Sequence, residues 1–309
     1  MYRLFLILAL SLLTQVSAVA QDSALLQKTY AKRKTIVTTA NVAGYGGTMV
    51  ALYRSWYLNY PRSSFHTFND LPEWNQMDKA GHFYSAYIQS SASTALWKWA
   101  GMNKKTRVWV GGLSGAVYQT AIEILDGYSA QWGWSWSDFA TNLLGSGVYI
   151  AQELAWEEQR VHLKFSFHRK NYIDPMLNRR SDQLFGDGWS ERMLKDYNGQ
   201  TYWASVRLSP FFKDRRLPPW LALSVGYGAE GLFGGTENRA IDANGMIIFD
   251  RTDILRSRQW YLAPDIDWSQ IKTNKKGLKV LFTFLNAFKF PTPTLSYSKG
   301  KWRVHPLYF

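Results

Sequence analysis

The rhythm of hydrophobic and polar positions changes about halfway along the chain. From about residue 23 to 158 the apolar positions come in long runs separated by polar loops. Four of these runs predict helices, over 36–58, 78–100, 106–125 and 137–156. Each is rich in small residues, such as Gly44, Gly46 and Gly47 in the first and Ser85, Ala86, Ser90, Ser91 and Ala92 in the second. Gly111, Gly112 and Gly115 lie in the third, Gly145 and Gly147 in the fourth. The spacing of Gly111 and Gly115 lets helix backbones approach closely, in lipid or in a tight soluble bundle. Gln89, Lys98, Gln119, Glu123, Asn142 and Gln152 interrupt the runs, so none reads as a clean transmembrane helix. A membrane-embedded and a soluble bundle both remain open.

Beyond Trp156 the pattern turns basic and polar. Arg160, Lys164, Arg169, Lys170, Arg179 and Arg180 mark a connector with surface helices. Strands are predicted over 201–209 and 220–227, and over 259–268, where Pro264 weakens the reading. The glycine-rich stretch 226–244 predicts a turn or loop. Leu278, Leu281, Phe282, Leu285 and Phe288 share one helical face with Lys275, Lys276, Lys279 and Lys289 around it, a basic amphipathic helix ended by Pro291 and Pro293. The last residues alternate poorly and contain Pro306, and three to five strands fall short of the eight a membrane barrel requires. The fold class expected is therefore α+β: an N-terminal bundle of about four helices, then a C-terminal region with a few antiparallel strands and an amphipathic helix. The expected organisation is a signal peptide over 1–20, a helical domain over 21–158, a basic connector over 159–200 and a β-rich region over 201–309.

The first residues specify a compartment. Arg3, an apolar run from Leu4 to Leu13 and small residues through Ala18 and Ala20 form a secretory signal with a cleavage site before Gln21. That implies the cell envelope, periplasmic or associated with the outer membrane. The chain has 36 Lys+Arg against 23 Asp+Glu, a formal net charge of +13. Outside the cytoplasm such a balance suits anionic membrane lipid or lipopolysaccharide, and no nucleic-acid partner is expected. The absence of cysteine excludes disulfides, thiolate metal sites and a cysteine nucleophile.

Candidate chemistry lies in the helical half. Asp78, Lys79 and His82 open the second predicted helix, with Asp78 and His82 on one face. Glu123 and Asp126 close the third, and Asp138 and Asn142 open the fourth, where Ser137 can cap. If helices two and four run parallel with three between them, all three sets meet at one end of the bundle. His82 with Glu123, Asp126 and Asp138 then forms either an acid–base site or a divalent-metal site, with Asp78, Lys79 and Asn142 in support. The competing reading is a polar network that holds the helices in register. Glu123 near a helix C-terminus is not explained by the helix dipole and calls for a partner such as Lys79 or His82. Trp132, Trp134 and Trp136 form either a membrane-interface belt or a lid. No nucleotide, dinucleotide or zinc-protease fingerprint is present, and no cofactor is indicated.

The motifs Asp78-Lys79-Ala80-Gly81-His82-Phe83, Glu123-Ile124-Leu125-Asp126 and Gly133-Trp134-Ser135-Trp136-Ser137-Asp138-Phe139 resemble the YfiM-like family of predicted periplasmic lipoproteins, a domain of unknown function. The resemblance covers about 78–153, with a fainter likeness to VanZ-like membrane proteins. It implies an envelope domain; this sequence departs from the lipoprotein pattern in having no cysteine to acylate. Two functions stand open: a membrane-associated envelope protein with a structural or lipid-interacting role, and a hydrolase or transferase acting on an envelope lipid or glycan through the His/carboxylate cluster.

Overall fold

The computed structural model describes residues 2–58, 60–212 and 217–308, with side chains from residue 27 onward except 55 and 56. The signal sequence read over 1–20 lies outside the described side chains. The first predicted helix is the end of a longer one, α1 (Tyr2–Leu52), which passes into a π-helical turn at Tyr53–Tyr57. The second is α2 (Met77–Trp99) and the fourth is α5 (Trp136–Ala155). The third is two helices, α3 (Lys104–Gly112) and α4 (Ser114–Gly127). The break follows Gly111 and Gly112, weak helix formers, and Ser114 donates its hydroxyl to the Gly111 carbonyl at 2.6 Å.

Helix α2 is the centre of the bundle and packs on α3, α4 and α5. Small residues make that approach possible. A Cβ on Gly115 would stand 2.1 Å from the Ala86 carbonyl oxygen, and one on Gly145 would stand 2.3 Å from that of Phe83. Ser90 ties the same crossing by bonds to the Gly112 carbonyl at 2.6 Å and the Ser146 hydroxyl at 2.9 Å. Among the described residues no helix is long and apolar enough to cross a membrane.

The rest of the chain forms an antiparallel sheet of six strands in the order β1-β2-β3-β6-β7-β8, with β4 (Arg239–Ile241) and β5 (Ile247–Asp250) paired apart from it. The six are β1 (Val161–Phe167), β2 (Gln200–Arg207), β3 (Leu221–Glu230), β6 (Ser257–Ile266), β7 (Thr292–Ser298) and β8 (Lys301–Tyr308). The expectation of three to five strands is thus too low. The basic stretch 159–200 contains β1 and the helices α6 (Pro175–Phe185) and α7 (Trp189–Lys195), and the amphipathic helix is α8 (Lys276–Leu285). Pro264 is tolerated because β6 pairs with β7 only as far as Leu262. Pro306 is tolerated because β8 is an edge strand whose register shifts at a bulge opposite Thr292–Thr294.

Helices and sheet share a core. Leu163 of β1 packs with Tyr87, Val108, Tyr149 and Ile150, and Ala204 of β2 joins them. Tyr84 of α2 donates to the Ala287 carbonyl at 2.9 Å and stacks near Phe165 and Tyr202. The start of α2 is therefore enclosed between the bundle and the sheet.

Candidate functional site

The chain enters α2 through three consecutive left-handed residues that are not glycine: Trp74, Asn75 and Gln76, with φ of 48°, 51° and 60°. Such conformations cost of order 1–3 kcal/mol each and persist only where the surroundings impose them. Here the imposing groups come from the C-terminal half. The Gly235 carbonyl accepts from Trp74 N at 2.7 Å, Tyr227 donates to the Asn75 carbonyl, and Arg258 donates to Gln76 Oε1. Met77 packs among Ala229 and Leu232. The turn fixes where Asp78, Lys79 and His82 project.

Lys79 is the hub of one side of the cluster. Its ammonium lies 2.7 Å from Asp70 Oδ2, 2.9 Å from Asp78 Oδ2 and 2.7 Å from Asp138 Oδ1. Burial opposes its charge, but these carboxylates outweigh burial and raise its pKa above the usual lysine range. Asp70 is further bonded by the hydroxyls of Ser135 at 2.6 Å and Ser137 at 2.9 Å. Despite partial burial, its hydrogen bonds hold its carboxyl down at about 2. Tyr197 donates to Asp78 Oδ1 at 2.8 Å across 119 residues of sequence. The N-cap of α5 is Ser135, which accepts from Asp138 N at 3.1 Å, and not Ser137.

His82 is the hub of the other side. Its Nδ1 donates to Asn142 Oδ1 at 3.1 Å and lies 3.7 Å from Glu123 Oε1. Its Nε2 stands 3.8 Å from Asp78 Oδ1 and 3.9 Å from Asp138 Oδ1. Burial works against the imidazolium, yet Asp78, Asp138 and Glu123 outweigh it and raise His82 to about 9. Burial lifts Glu123 to about 8 and Asp126 to about 6, and pushes Asp138 upward. Glu123 Oε2 accepts weakly from Ser135 N at 3.4 Å, while its buried Oε1 accepts no hydrogen bond among the described residues.

The three sets singled out in sequence thus converge on one place, together with Asp70, Glu73, Tyr57 and Tyr197, which carried no sequence signal. Asp126 is set apart from His82 and accepts from Tyr57 at 2.7 Å. Of the three tryptophans, Trp134 and Trp136 pack edge to face at 5.3 Å and Trp132 lies apart from them. Trp132 packs edge-on against Tyr57 and Tyr60, Trp134 packs against Phe65 and Phe139, and Trp136 is 66% exposed. A cavity of about 340 Å³ is lined by Asp70, Asp78, His82, Glu123, Asp126 and Asp138, with Trp132 and Tyr57 on its wall. A second, of about 330 Å³, lies between bundle and sheet, where Asp78 and His82 meet Tyr84, Tyr197 and Tyr202. Asp78 and His82 line both.

One of the alternatives for His82, Glu123, Asp126 and Asp138 is a divalent-cation site. The structure groups Asp78, His82 and Asp138 instead, with ligand atoms within 4.8 Å of one another. The Lys79 ammonium already neutralises two of these three. What remains uncompensated is the His82–Glu123 side, where an acid held protonated near neutrality adjoins an imidazole fixed by Asn142.

Residues 68–152, which carry all of these positions except Tyr57 and Tyr197, match the family model described as Predicted periplasmic lipoprotein (DUF2279). No curated protein and no solved structure matches the chain. The family description agrees with the cell envelope as its location and attaches no activity to it.

Proposed function

We propose that the helical domain is an acid–base site of the cell envelope, a hydrolase or transferase acting on a glycan. The single observation that carries this is the free Oε1 of Glu123, in the wall of a cavity and 3.7 Å from His82 Nδ1. A network serving only to hold helices in register satisfies its buried oxygens, because an unpaired one costs about 1–3 kcal/mol. An oxygen left free beside a cavity is available to a bound molecule. Lys79, bonded to three carboxylates, is the structural part of the cluster; His82 and Glu123 are the reactive part.

The lining argues for sugar over phosphate. Six acidic side chains, those of Asp70, Glu73, Asp78, Glu123, Asp126 and Asp138, line the cavity, and with Glu123 protonated and Lys79 and His82 cationic the acids still outnumber the cations, which disfavours an anionic head group. Hydroxyl groups are donors to carboxylates, and the rings of Trp132, Trp74, Tyr57 and Tyr197 offer apolar faces to a pyranose. Glu123, protonated at neutral pH, serves as general acid to a leaving oxygen, and a lower-pKa carboxylate such as Asp78 completes the pair that glycan cleavage uses. His82 orients and tunes Glu123.

The test is incubation of the purified full chain with envelope polysaccharide and cell-wall glycan, measuring new reducing ends. Release that is lost in Glu123→Gln and His82→Asn, each still cooperatively folded at the assay temperature, supports the reading. Absence of release from every glycan, or release unaffected by both substitutions, overturns it.

A further inference from the structure

The sheet is built with its polarity reversed. Along β1, β2, β3 and β6 the residues of one face are buried and largely polar: Lys164, Ser205, Ser224 and Asp265 among them. Lys164, wholly buried, lies 2.9 Å from Asp265 Oδ2 and donates to the Ile266 carbonyl at 2.7 Å. Asp265 Oδ2 also accepts from Ser205 at 2.7 Å and Ser224 at 2.8 Å. Lys289 sits 5.2 Å over the Trp203 ring and donates to Thr292 Oγ1 at 2.6 Å. This is an enclosed, hydrogen-bonded polar filling.

The enclosure is nearly a barrel. The segment before β7 turns back to the free edge of β1, where Phe165 N donates to the Ala287 carbonyl at 3.0 Å and Lys289 N donates to that of Phe165 at 2.9 Å. The sheet therefore curls until the β1 edge is linked through 287–289 to the segment that enters β7, and β8 keeps its outer edge open.

The opposite face is apolar. On β1 and β2 it packs against the helical bundle, and at the Tyr227–Ala229 end of β3 and Arg258 of β6 it meets the turn that enters α2; over the rest of β3 and β6 and along β7 and β8 it is open. There Val225, Trp260, Leu262, Trp302, Val304 and Leu307 stand between 42% and 77% exposed. A one-sided sheet in water does the reverse and turns its apolar residues inward. Polar filling with an apolar exterior is the pattern of strands that face lipid, and Trp260, Tyr297 and Trp302 are of the residue type enriched where such strands meet head groups. Between β6 and β7 in the chain, and packed on the turn at Trp268–Gln270, α8 exposes Val280, Leu281 and Phe284, with Lys275, Lys276 and Lys279 at its start.

We propose that the open part of the outward apolar face of β3, β6, β7 and β8 rests on an envelope lipid bilayer at the boundary between head groups and acyl chains, where the edge of β8 stays hydrated, with the lysines of α8 toward the anionic head groups. The inference does not depend on the His82–Glu123 site. It follows from the buried Lys164–Asp265 pair, which fixes which face is inside, and from the continuous apolar exterior that this leaves. A second copy of the chain, paired along the open edge of β8, is the rival occupant.

The chain lacks cysteine, so a single one reports a single place. Val304→Cys on β8 and Asn244→Cys on the β4–β5 turn would each carry an environment-sensitive fluorophore. The vesicles are mixed phosphatidylethanolamine and phosphatidylglycerol. At Val304 the label should shift to the blue on adding vesicles, lose access to aqueous iodide and be quenched by lipids brominated on their tails; at Asn244 it should do none of these. Val304→Glu with Leu307→Glu, both at exposed positions, should reduce the fraction of full-length protein floating with vesicles by about tenfold or more. Three outcomes overturn the proposal: a Val304 label still open to iodide with vesicles present, flotation unchanged by the two glutamates, or a lipid-independent dimer in which the Val304 label is already shielded.

Discussion

The Oε1 of Glu123 lies 3.7 Å from Nδ1 of His82 and accepts no hydrogen bond among the described residues, although its side chain is only 2% exposed. The two residues sit on α4 and α2 and share no other described contact, so their coupling is measurable by a double-mutant cycle. Removing either side leaves the other buried, at a cost of about 1–3 kcal/mol. His82→Ala and Glu123→Ala should each lower the melting temperature, and the double variant should lose less than the sum, a coupling of about 0.5–3 kcal/mol. Strict additivity in thermal unfolding would show that the pair is not coupled.

The same pair sets the pH dependence of stability. Folding raises His82 from 6.5 to about 9, so its stabilising contribution is complete below 6.5 and is lost as the pH rises through about 9. Folding raises Glu123 from 4.5 to about 8, so the folded state holds that proton more tightly and stability falls between those values. Both act in one direction. The melting temperature should decline from about pH 5 to pH 9, and Glu123→Gln should flatten the part of that decline below pH 8. A melting temperature that climbs across this range would contradict the assignment.

How much of this was legible in the sequence depends on where the determinants lie. The helices were legible because their apolar runs are long, and the third was misread as one helix because Gly111-Gly112 interrupts the backbone and not the hydrophobic pattern. Asp78, His82, Glu123, Asp138 and Asn142 were recoverable because helix ends and a simple up–down order bring them together. Asp70 and Tyr197 were not. One is in an irregular loop, and the other reaches Asp78 across 119 residues. The basic residues around Lys164 read as a connector although Lys164 faces a polar interior, and Pro306 with poor alternation argues against β8 although an edge strand with a bulge tolerates both.

Lys79 separates the structural from the reactive part of the cluster. Its side chain is 7% exposed and its partner Asp138 is 5% exposed, so the pair is buried. Lys79→Met should destabilise the protein by about 3 kcal/mol or more, because Asp70, Asp78 and Asp138 then face one another without a cation. With the ammonium gone, Asp78, His82 and Asp138 keep ligand atoms within 4.8 Å. Zinc should therefore raise the melting temperature of Lys79→Met while leaving that of the wild type nearly unchanged. Equal shifts in the two proteins, read by differential scanning fluorimetry, would show that the ammonium does not hold the cation position.

The last expectation concerns how α4 delivers Glu123 to His82. Gly115 and Glu123 lie two turns apart on α4, and the approach of α4 to α2 is closest at Gly115, where a Cβ would fall 2.1 Å from the Ala86 carbonyl oxygen. Backbone cannot yield there as a flexible side chain would. Gly115→Ala should force the helices apart, cost about 1–3 kcal/mol and weaken the His82–Glu123 coupling. Gly147 on α5 is the control, since a Cβ there meets nothing within 4 Å. As an exposed glycine inside a helix, it should stabilise the protein by roughly 0.5–1 kcal/mol when replaced by alanine. Chemical denaturation of the two variants checks the pair: opposite signs support close packing at Gly115, and a neutral Gly115→Ala would mean that α2 and α4 are farther apart than this crossing requires.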